Sequence, residues 1–268
     1  MRREPPDSVK KILRKEVRFG CPIPECSNPY LEWHHFDPPW AKEEHHRPEG
    51  MIALCNTHHK RADAGAFTIE QLKRYKSSHK TMGKIHGSFD WLRSELLMKS
   101  GTNFIYKTNV VLQINGHDII WLTRDSDNYL QLNFSGIFFR MERNIWNLAN
   151  DSLDISSPPG GKSLIAQHTS GEKLLIRFKN IDSWAELVAE GWIFGDDEIA
   201  LPTTIVEFEY VAPLKKFTFS NFTAGELGAS FHNCFLGGGN VAVSMSLRDY
   251  FIISSVDWYK TKYLWIQY

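Results

Sequence analysis

Histidine and cysteine are concentrated in one short stretch near the start of this chain. Six of its 11 histidines lie between His34 and His59, in three adjacent pairs. Three of the 4 cysteines, Cys21, Cys26 and Cys55, lie in or just before the same stretch. Imidazole and thiolate are the side chains that bind zinc and related metals at neutral pH. This density predicts that a metal ion organises the N-terminal part of the fold.

Four of these residues form two close pairs, Cys21-x4-Cys26 and Cys55-x2-His58. Two such pairs can close a tetrahedral Cys3His site around one zinc ion. Because four protein ligands leave no open position, that zinc would be structural and would support a small core. The alternative is four residues that share no ion. Cys234 lies far from the others and is expected to be a buried apolar residue.

The composition is typical of a globular protein and gives no sign of a membrane protein. The chain has 268 residues, of which 42% are hydrophobic and 23% charged. No apolar run approaches the ~20 residues of a membrane span, and the N-terminus lacks the apolar core of a secretory signal. We therefore expect no membrane association and a cytoplasmic location. Cysteines clustered near histidines also favour metal binding over disulfides.

The formal net charge of zero is unevenly distributed along the chain. Residues 1–86 contain 16 Lys/Arg and 11 Asp/Glu, a net charge of +5, so the remainder carries −5. A basic module joined to an acidic one favours contact between the N-terminal part and nucleic acid. The alternative is that so modest an excess arises by chance.

Short elements are predicted throughout the N-terminal part. Proline and capping signals, together with apolar spacing, predict three helices and two extended segments. The helices are expected over Asp7–Arg18, from Asn56 or Thr57 to Gly65, and from a capping box at Thr68 and Gln71 toward Lys80. The extended segments are expected over Tyr30–Phe36 and Met51–Leu54.

The character of the chain changes beyond Gly101. Short segments rich in β-branched and aromatic residues alternate with turn signals as far as YFIISSV and KYLWIQY near the end. They predict a mainly antiparallel β domain over residues 101–268, as a sandwich, barrel or roll, with one short helix over Asp182–Glu190. Residues 83–100 are predicted to be a connector that is helical from Phe89 to Met98. The expected fold class is α+β, with a zinc-stabilised module at residues 1–82.

Two stretches carry a resemblance to a known family: EWHHFDPP, and then RPEGMIALCNTHHKRADAGAFTIEQLKRYK. They contain, in order, a His-His pair, an apolar strand, a C-x2-H-H sequence and a downstream helix. In this respect the chain resembles the HNH endonucleases, or ββα-metal nucleases, over roughly residues 8–80. Residues 101–268 resemble no family that we recognise.

The resemblance implies a role for each of four residues. His35 corresponds to the general base that activates the attacking water, and an imidazole of ordinary pKa is mostly neutral at pH 7. His34, His59 and Asp63 correspond to the ligands of a catalytic divalent metal. Mg²⁺ and Mn²⁺ suit the carboxylate, whereas the histidines also accept Ni²⁺ or Zn²⁺. Since neighbouring side chains of a strand face opposite ways, the backbone is expected to bend so that His34 and His35 reach one site.

The sequence departs from the family pattern at two positions. Gly50 stands where the family usually has an asparagine that orients the loop bearing the base, and Asp63 stands where histidine is common. His46 and Glu49 are the candidates for the missing hydrogen bond. The pair His45-His46 is otherwise expected to be exposed in a loop and not to bind metal.

The resemblance implies an endonuclease that hydrolyses phosphodiester bonds of double-stranded DNA, in restriction or antiphage defence. The β-rich domain would then serve recognition, regulation or assembly, through a protein partner or a second copy of the chain. Two alternatives stay open. One is an inactive, zinc-stabilised module for nucleic-acid binding or complex assembly, which the glycine at position 50 favours. The other is a subunit that is active only with a partner.

Overall fold

The computed structural model describes residues 2–78, 85–148, 153–195, 198–211, 218–219 and 233–245. The helices within these ranges are α1 (Asp7–Glu16), α2 (Asn56–Asp63), α3 (Ile69–Ser77) and α4 (Trp184–Ala189). The strands are β1 (Leu31–His35), β2 (Met51–Cys55), β3 (Ile85–Ser88), β4 (Leu97–Ser100), β5 (Asn103–Tyr106), β6 (Val110–Ile114), β7 (His117–Arg124), β8 (Leu130–Ser135), β9 (Arg140–Glu142), β10 (Ile145–Leu148), β11 (Leu153–Ser156), β12 (Ser163–His168), β13 (Lys173–Ile181), β14 (Thr203–Val211), β15 (Thr218–Phe219), β16 (Phe235–Gly237) and β17 (Val241–Met245). Few helices and mostly antiparallel sheets make the fold α+β, as expected.

The N-terminal region is built around the antiparallel pair of β1 and β2. His34 lies opposite Ile52 and His35 opposite Met51 in this pair. All five residues of β2 are buried, because α1 and α2 both contact this strand. The helices predicted near Asp7, Asn56 and Thr68 all form. The predicted extension of the third helix to Lys80 lies outside the described residues.

The start of α3 shows how a local signal fixes an element. The Oγ1 atom of Thr68 accepts a hydrogen bond from the backbone N–H of Gln71 at 3.2 Å. The Oε1 atom of Gln71 accepts one in return from the backbone N–H of Thr68 at 2.8 Å. This reciprocal capping box satisfies two backbone donors at the helix start. Leu72 then turns inward and is buried in the N-terminal core.

The remainder of the described chain forms two larger sheets. One has the strand order β17-β6-β7-β8-β9-β10-β3, and the other β11-β12-β13-β14-β4-β5-β16, with β15 paired to β14. Most neighbours are antiparallel, but β4 pairs with β14, β5 with β16 and β6 with β17 in parallel. Two of the strand predictions, at YFIISSV and KYLWIQY, lie outside the described residues.

The two sheets pack face to face as a sandwich. Ile120 and Phe134 of the first sheet share one buried cluster with Ile176 and Phe208 of the second. The predicted short helix forms as α4, and it packs with Trp192 on the outer side of the second sheet. Apolar residues that alternate with polar ones along β12 and β13 supply one wall of the core.

The predicted helix from Phe89 to Met98 is wrong. Residues 89–96 contain no helix, and β3 and β4 on either side of them belong to the two different sheets. Phe89, Leu96 and Met98 are buried in the sandwich core. A short apolar run fits a strand and a helix equally well, and tertiary packing decides between them here.

The N-terminal region also contacts the sandwich. Phe19 joins the sandwich core, and the hydroxyl of Tyr30 donates a hydrogen bond to the carbonyl oxygen of Ser88. Lys11 of α1 lies 3.9 Å from the carboxylate of Asp154 in β11. Among the described residues, no helix has both the length and the apolar character needed to cross a bilayer.

Two candidate metal sites in the N-terminal region

The first cluster joins the three N-terminal cysteines to one histidine. One ligand atom from each of Cys21, Cys26, Cys55 and His58 lies within 4.8 Å of all the others. The first two residues precede β1, Cys55 ends β2, and His58 lies in the first turn of α2. All of these cysteines are free of disulfide bonds. The structure therefore brings together the four residues predicted to hold a structural ion.

The spacing of these atoms fits the edges of a tetrahedron. The Sγ atoms of Cys26 and Cys55 are 3.6 Å apart. The Nδ1 atom of His58 is 3.4 Å from Sγ of Cys21 and 3.2 Å from Sγ of Cys55. Zinc bonds of about 2.3 Å to sulfur and about 2.05 Å to nitrogen give tetrahedral edges of about 3.8 and 3.6 Å. The cluster could therefore hold a structural metal ion.

The three thiols and the imidazole of this cluster differ in how readily they reach the deprotonated form that binds a metal. Burial raises the pKa of Cys21 and of Cys26, and the neighbouring thiol of Cys55 raises the pKa of Cys26 further. Burial lowers the pKa of His58, and the charge of Arg61 adds to that effect. The imidazole is thus ready as a neutral ligand. The thiols would lose their protons only when a metal stabilises the thiolates.

The second cluster consists of His34, His59 and Asp63, whose ligand atoms also lie within 4.8 Å of one another. The Nδ1 atom of His34 is 3.2 Å from Oδ1 of Asp63, and Nδ1 of His59 is 3.3 Å from Oδ2. The two imidazole rings meet edge to face with centroids 5.3 Å apart. β1 supplies His34, and one face of α2 supplies the other two residues, which are four positions apart.

The chemistry of this second cluster fits a divalent cation. Burial lowers the pKa of His34, with the neighbouring His59 as the next cause, so the ring offers a neutral lone pair. Its Nδ1 atom is buried and lies 3.2 Å from Oδ1 of Asp63. A buried imidazole nitrogen and a carboxylate oxygen that converge in this way are suited to bind a common ion. Three protein ligands would leave coordination positions for water or substrate.

Glu32 lies next to this site, although the family pattern does not single it out. Its Oε2 atom lies 3.5 Å from Nδ1 of His59. The other nitrogen of His59, Nε2, lies 3.4 Å from the carbonyl oxygen of Trp33. Because a carbonyl only accepts, Nε2 carries a proton, and in the neutral ring Nδ1 is then the nitrogen with the lone pair that faces Asp63 and Glu32. The available signal was strand alternation, which puts Glu32 and His34 on one face.

His35 lies on the opposite face of β1 from His34 and outside the second cluster. Its side chain packs among three rings, with centroid distances of 4.7 Å to Trp40, 5.2 Å to His45 and 5.8 Å to His46. Burial lowers the pKa of His35 to about 4, with His45 as the next cause. Neither ring nitrogen has a hydrogen-bond partner among the described residues. The expected bend that would bring His34 and His35 to one site is absent, because β1 stays regularly paired to its end.

His45 is buried, and the expectation of an exposed loop residue is wrong. It is 4% exposed. Its Nε2 atom lies 2.9 Å from the carbonyl oxygen of Pro38, and its Nδ1 accepts a hydrogen bond from the backbone N–H of Arg47 at 3.1 Å. A Cβ atom at Gly50 would lie 2.1 Å from the carbonyl oxygen of Asp37 and 2.8 Å from Cε1 of His45. An asparagine at position 50 would therefore require the backbone near Asp37 to shift.

His46 and Glu49, the candidates for the missing hydrogen bond, do not make it. The Nε2 atom of His46 lies 3.0 Å from the carbonyl oxygen of Arg2. The ring of His46 stacks on Trp40, with centroids 5.3 Å apart and planes 26° apart. Glu49 is exposed in the 3-10 turn at Pro48–Gly50. Neither side chain makes a hydrogen bond to the segment that follows His35.

A cleft of about 1060 Å³ adjoins the second cluster between α1 and the strands β11 and β12. His59 lies in its lining. The cations that line it are Arg3, Lys10, Lys11, Arg14 and Lys162, and the carboxylates are Glu4, Asp7, Glu32 and Asp154. The charge is therefore mixed, and Lys10 is already paired with Glu4 at 2.6 Å. Arg14 and Lys162 form no ion pair with a described residue, and the guanidinium carbon of Arg14 lies 5.9 Å from the Trp33 ring centroid.

Comparison of this chain with protein-family models, with curated proteins and with solved structures found no match. The resemblance noted in the sequence is thus not supported by a relative.

Proposed function

We propose that this chain is a metal-dependent endonuclease of the HNH type that hydrolyses phosphodiester bonds of DNA. The observation that carries the proposal is the convergence of His34, His59 and Asp63 beside a cleft. One carboxylate, two imidazoles and open coordination positions are what a catalytic metal site needs. The resemblance of the sequence to HNH nucleases supports the same assignment.

These residues would hold the cation and leave room for a phosphate. Mg²⁺ or Mn²⁺ suits Asp63, and Ni²⁺ or Zn²⁺ suits the two histidines. When bound, the ion would stabilise the charge that develops on the phosphate and on the leaving 3′ oxygen. The Trp33 carbonyl keeps His59 in one tautomer, and Glu32 adds a second negative charge that favours a divalent cation.

His35 would take the proton of the attacking water. Its low pKa keeps the ring neutral at pH 7, and a bound phosphate anion would raise that pKa because it stabilises the imidazolium. Trp40 and His46 pack against the ring in this structure, and both nitrogens are buried. Since a base has to be within hydrogen-bond reach of its proton, these two residues would move aside when substrate enters.

The ion of the Cys3His cluster is proposed to be zinc with a structural role. Three thiolates and one imidazole favour zinc over the hard cations. The cluster ties the segment before β1 to the junction of β2 and α2. Because His58 and His59 are adjacent on α2, a zinc ion at the first site would also fix the orientation of the second.

The proposed substrate is double-stranded DNA, with Arg14 and Lys162 as cations for its phosphates in the cleft. The sandwich would serve recognition, regulation or assembly, through a protein partner or a second copy of the chain. A role in restriction or antiphage defence is part of the proposal by analogy with nucleases that carry a second domain.

A second candidate function is a zinc-stabilised nucleic-acid-binding or assembly module without catalysis. The observation that favours it is the position of His35, which is 4% exposed and lies on the strand face away from His34. Such a module would bind DNA without cutting it. It would hold one tightly bound ion and no second, weaker one.

A plasmid-nicking assay on the full chain distinguishes the two candidates. We expect nicked circles with Mg²⁺, Mn²⁺ or Ni²⁺, and His35→Ala should lower the rate by roughly 10²- to 10⁴-fold, the usual contribution of a general base. His117→Ala, which changes an exposed histidine of β7, should cut at the normal rate. Equal rates for His35→Ala and the normal chain would remove His35 as the base. DNA binding without cleavage in any of these metals would favour the second candidate.

A further inference from the structure

The two hydrogen bonds of His45 define its tautomer. Its Nδ1 accepts from the backbone N–H of Arg47 at 3.1 Å, so that nitrogen carries no proton in the neutral ring. The proton is then on Nε2, which donates to the carbonyl oxygen of Pro38 at 2.9 Å. A neutral imidazole has one donor and one acceptor, and both are used here. His45 therefore joins the loop before β2 to the segment that leaves β1.

Three hydrogen bonds hold residues 36–38, the segment that follows β1. The backbone N–H groups of Phe36 and Asp37 donate to the carbonyl oxygen of Gly50 at 2.9 and 3.2 Å. One residue later, His45 binds the carbonyl oxygen of Pro38. These three bonds fix the backbone that immediately follows His35.

Packing adds a direct contact between the two histidines. The ring of His45 meets the ring of His35 at 81° with centroids 5.2 Å apart. The absence of a side chain at Gly50 makes room for this arrangement, because a Cβ there would lie 2.8 Å from Cε1 of His45. A buried, hydrogen-bonded ring therefore restricts the rotation of the His35 side chain.

We propose that His45 is a positioning residue that holds His35 in orientation by donating a hydrogen bond to Pro38. It acts on the backbone after His35 and on one face of its ring, and it does not touch the metal cluster. The inference rests on the proposed nuclease function, in which His35 is the base. It adds to that function a residue with no part in the chemistry itself.

Two conservative variants distinguish the hydrogen bond from His45 to Pro38 from the packing of the His45 side chain. Glutamine places its amide nitrogen at the position of His Nε2, so His45→Gln retains the donor to Pro38. Asparagine places its oxygen at the position of His Nδ1, so His45→Asn retains only the acceptor for Arg47. In the nicking assay His45→Gln should turn over within about threefold of the normal chain. His45→Asn should lose roughly 10- to 100-fold in kcat, the usual effect of removing an orienting partner, with KM and Mn²⁺ affinity unchanged.

A second readout does not depend on cleavage. Hydrogen exchange at the Phe36 and Asp37 amides should be faster in His45→Asn than in the normal chain, and unchanged in His45→Gln. Equal losses of kcat in the two variants, or normal kcat and exchange in His45→Asn, would overturn the positioning role. If the normal chain does not cleave DNA with any metal, the nuclease proposal fails by itself, and amide exchange still decides whether His45 orders this segment.

Discussion

Adjacent histidines in this chain serve different clusters because of the backbone that carries them. On β1 consecutive side chains point to opposite faces, so His34 reaches Asp63 whereas His35 reaches a group of rings. On α2 consecutive side chains are about 100° apart. His58 therefore reaches the cysteines, and His59 reaches Asp63.

The residues of both candidate metal sites could be predicted, but their neighbours could not. Close spacing reveals the ligand pairs of the Cys3His cluster. The resemblance to HNH nucleases implied His34, His59 and Asp63, and a separation of four on a helix puts the last two on one face. Glu32 was overlooked because a lone carboxylate on a strand matches no ligand pattern. The burial of His45 depends on how the loop after β1 folds over Gly50, and no local pattern contains that information.

The first prediction concerns the Cys3His cluster. Cys26→Ser should release the structural ion and lower the midpoint of thermal unfolding, because a serine hydroxyl is a poor ligand for zinc. Cys26 is only half-buried, so the loss of packing should be small. Zinc content and thermal unfolding measure the two effects. Cys234→Ser changes a cysteine outside both clusters and should leave the zinc content unchanged; full zinc occupancy in Cys26→Ser would contradict the assignment.

At the scale of elements, helices with a capping signal were predicted reliably, whereas the uncapped apolar run from Phe89 to Met98 was not. The capping box of α3 and the serine cap of α4 each mark a helix start that the structure contains. The run from Phe89 to Met98 has no such cap, and its apolar residues face the sandwich core from a loop and from β4. Secondary structure there follows from packing against distant strands, which the local sequence does not encode.

The second prediction concerns Gly50, at the end of the connection between β1 and β2. Gly50→Ala should destabilise the fold by about 1–3 kcal/mol, a typical cost of overpacking, because the new Cβ would lie 2.1 Å from the backbone oxygen of Asp37. Chemical denaturation measures this change. Gly160→Ala is the control, since a Cβ at that position meets nothing within 4 Å. Equal stability of the two variants would contradict the close packing of Gly50 against the backbone of Asp37.

At the scale of the whole molecule, strand order was beyond prediction. Alternating apolar residues identify strands and their inner faces, but they do not determine which strands pair with each other. β5 pairs in parallel with β16, and β6 with β17, although each pair is separated by more than 100 residues of chain. Such pairings depend on the complementarity of complete sheets.

Glu172 links the two sheets of the sandwich. Its carboxylate accepts hydrogen bonds from the backbone N–H groups of Ile137 and Phe138, both at 2.7 Å, in the turn between β8 and β9. It also lies 3.1 Å from the hydroxyl of Tyr210 in β14. Burial nevertheless raises the pKa of Glu172 to about 7, because the cost of desolvating the charge exceeds the gain from these donors.

The third prediction is a pH dependence of stability that arises from Glu172. The carboxyl group has an ordinary pKa of 4.5 in the unfolded chain and about 7 in the fold. Between these values the folded chain holds a proton that the unfolded chain has lost, so stability should fall as the pH rises, by about 3 kcal/mol in all. Burial lowers the pKa of His168, which has the opposite effect and therefore has to be separated by mutation.

Comparison with Glu172→Gln isolates this contribution. The variant should lose part of its stability at pH 5, where a hydrogen-bonded carboxyl is replaced, but its unfolding midpoint should decline less between pH 5 and pH 8. The exposed Glu198 provides the control as Glu198→Gln. If the slope of Glu172→Gln matches that of the normal chain, then Glu172 does not titrate in this range.

The central claim is that the N-terminal region binds two ions at separate sites with different roles. The most direct test is anomalous diffraction from crystals of the full chain grown with zinc and then soaked in Mn²⁺. The account predicts a zinc peak among Cys21, Cys26, Cys55 and His58, and a separate manganese peak among His34, His59 and Asp63. In Asp63→Asn the zinc peak should persist and the manganese peak should vanish. A single ion, or a manganese peak that survives Asp63→Asn, would contradict the account.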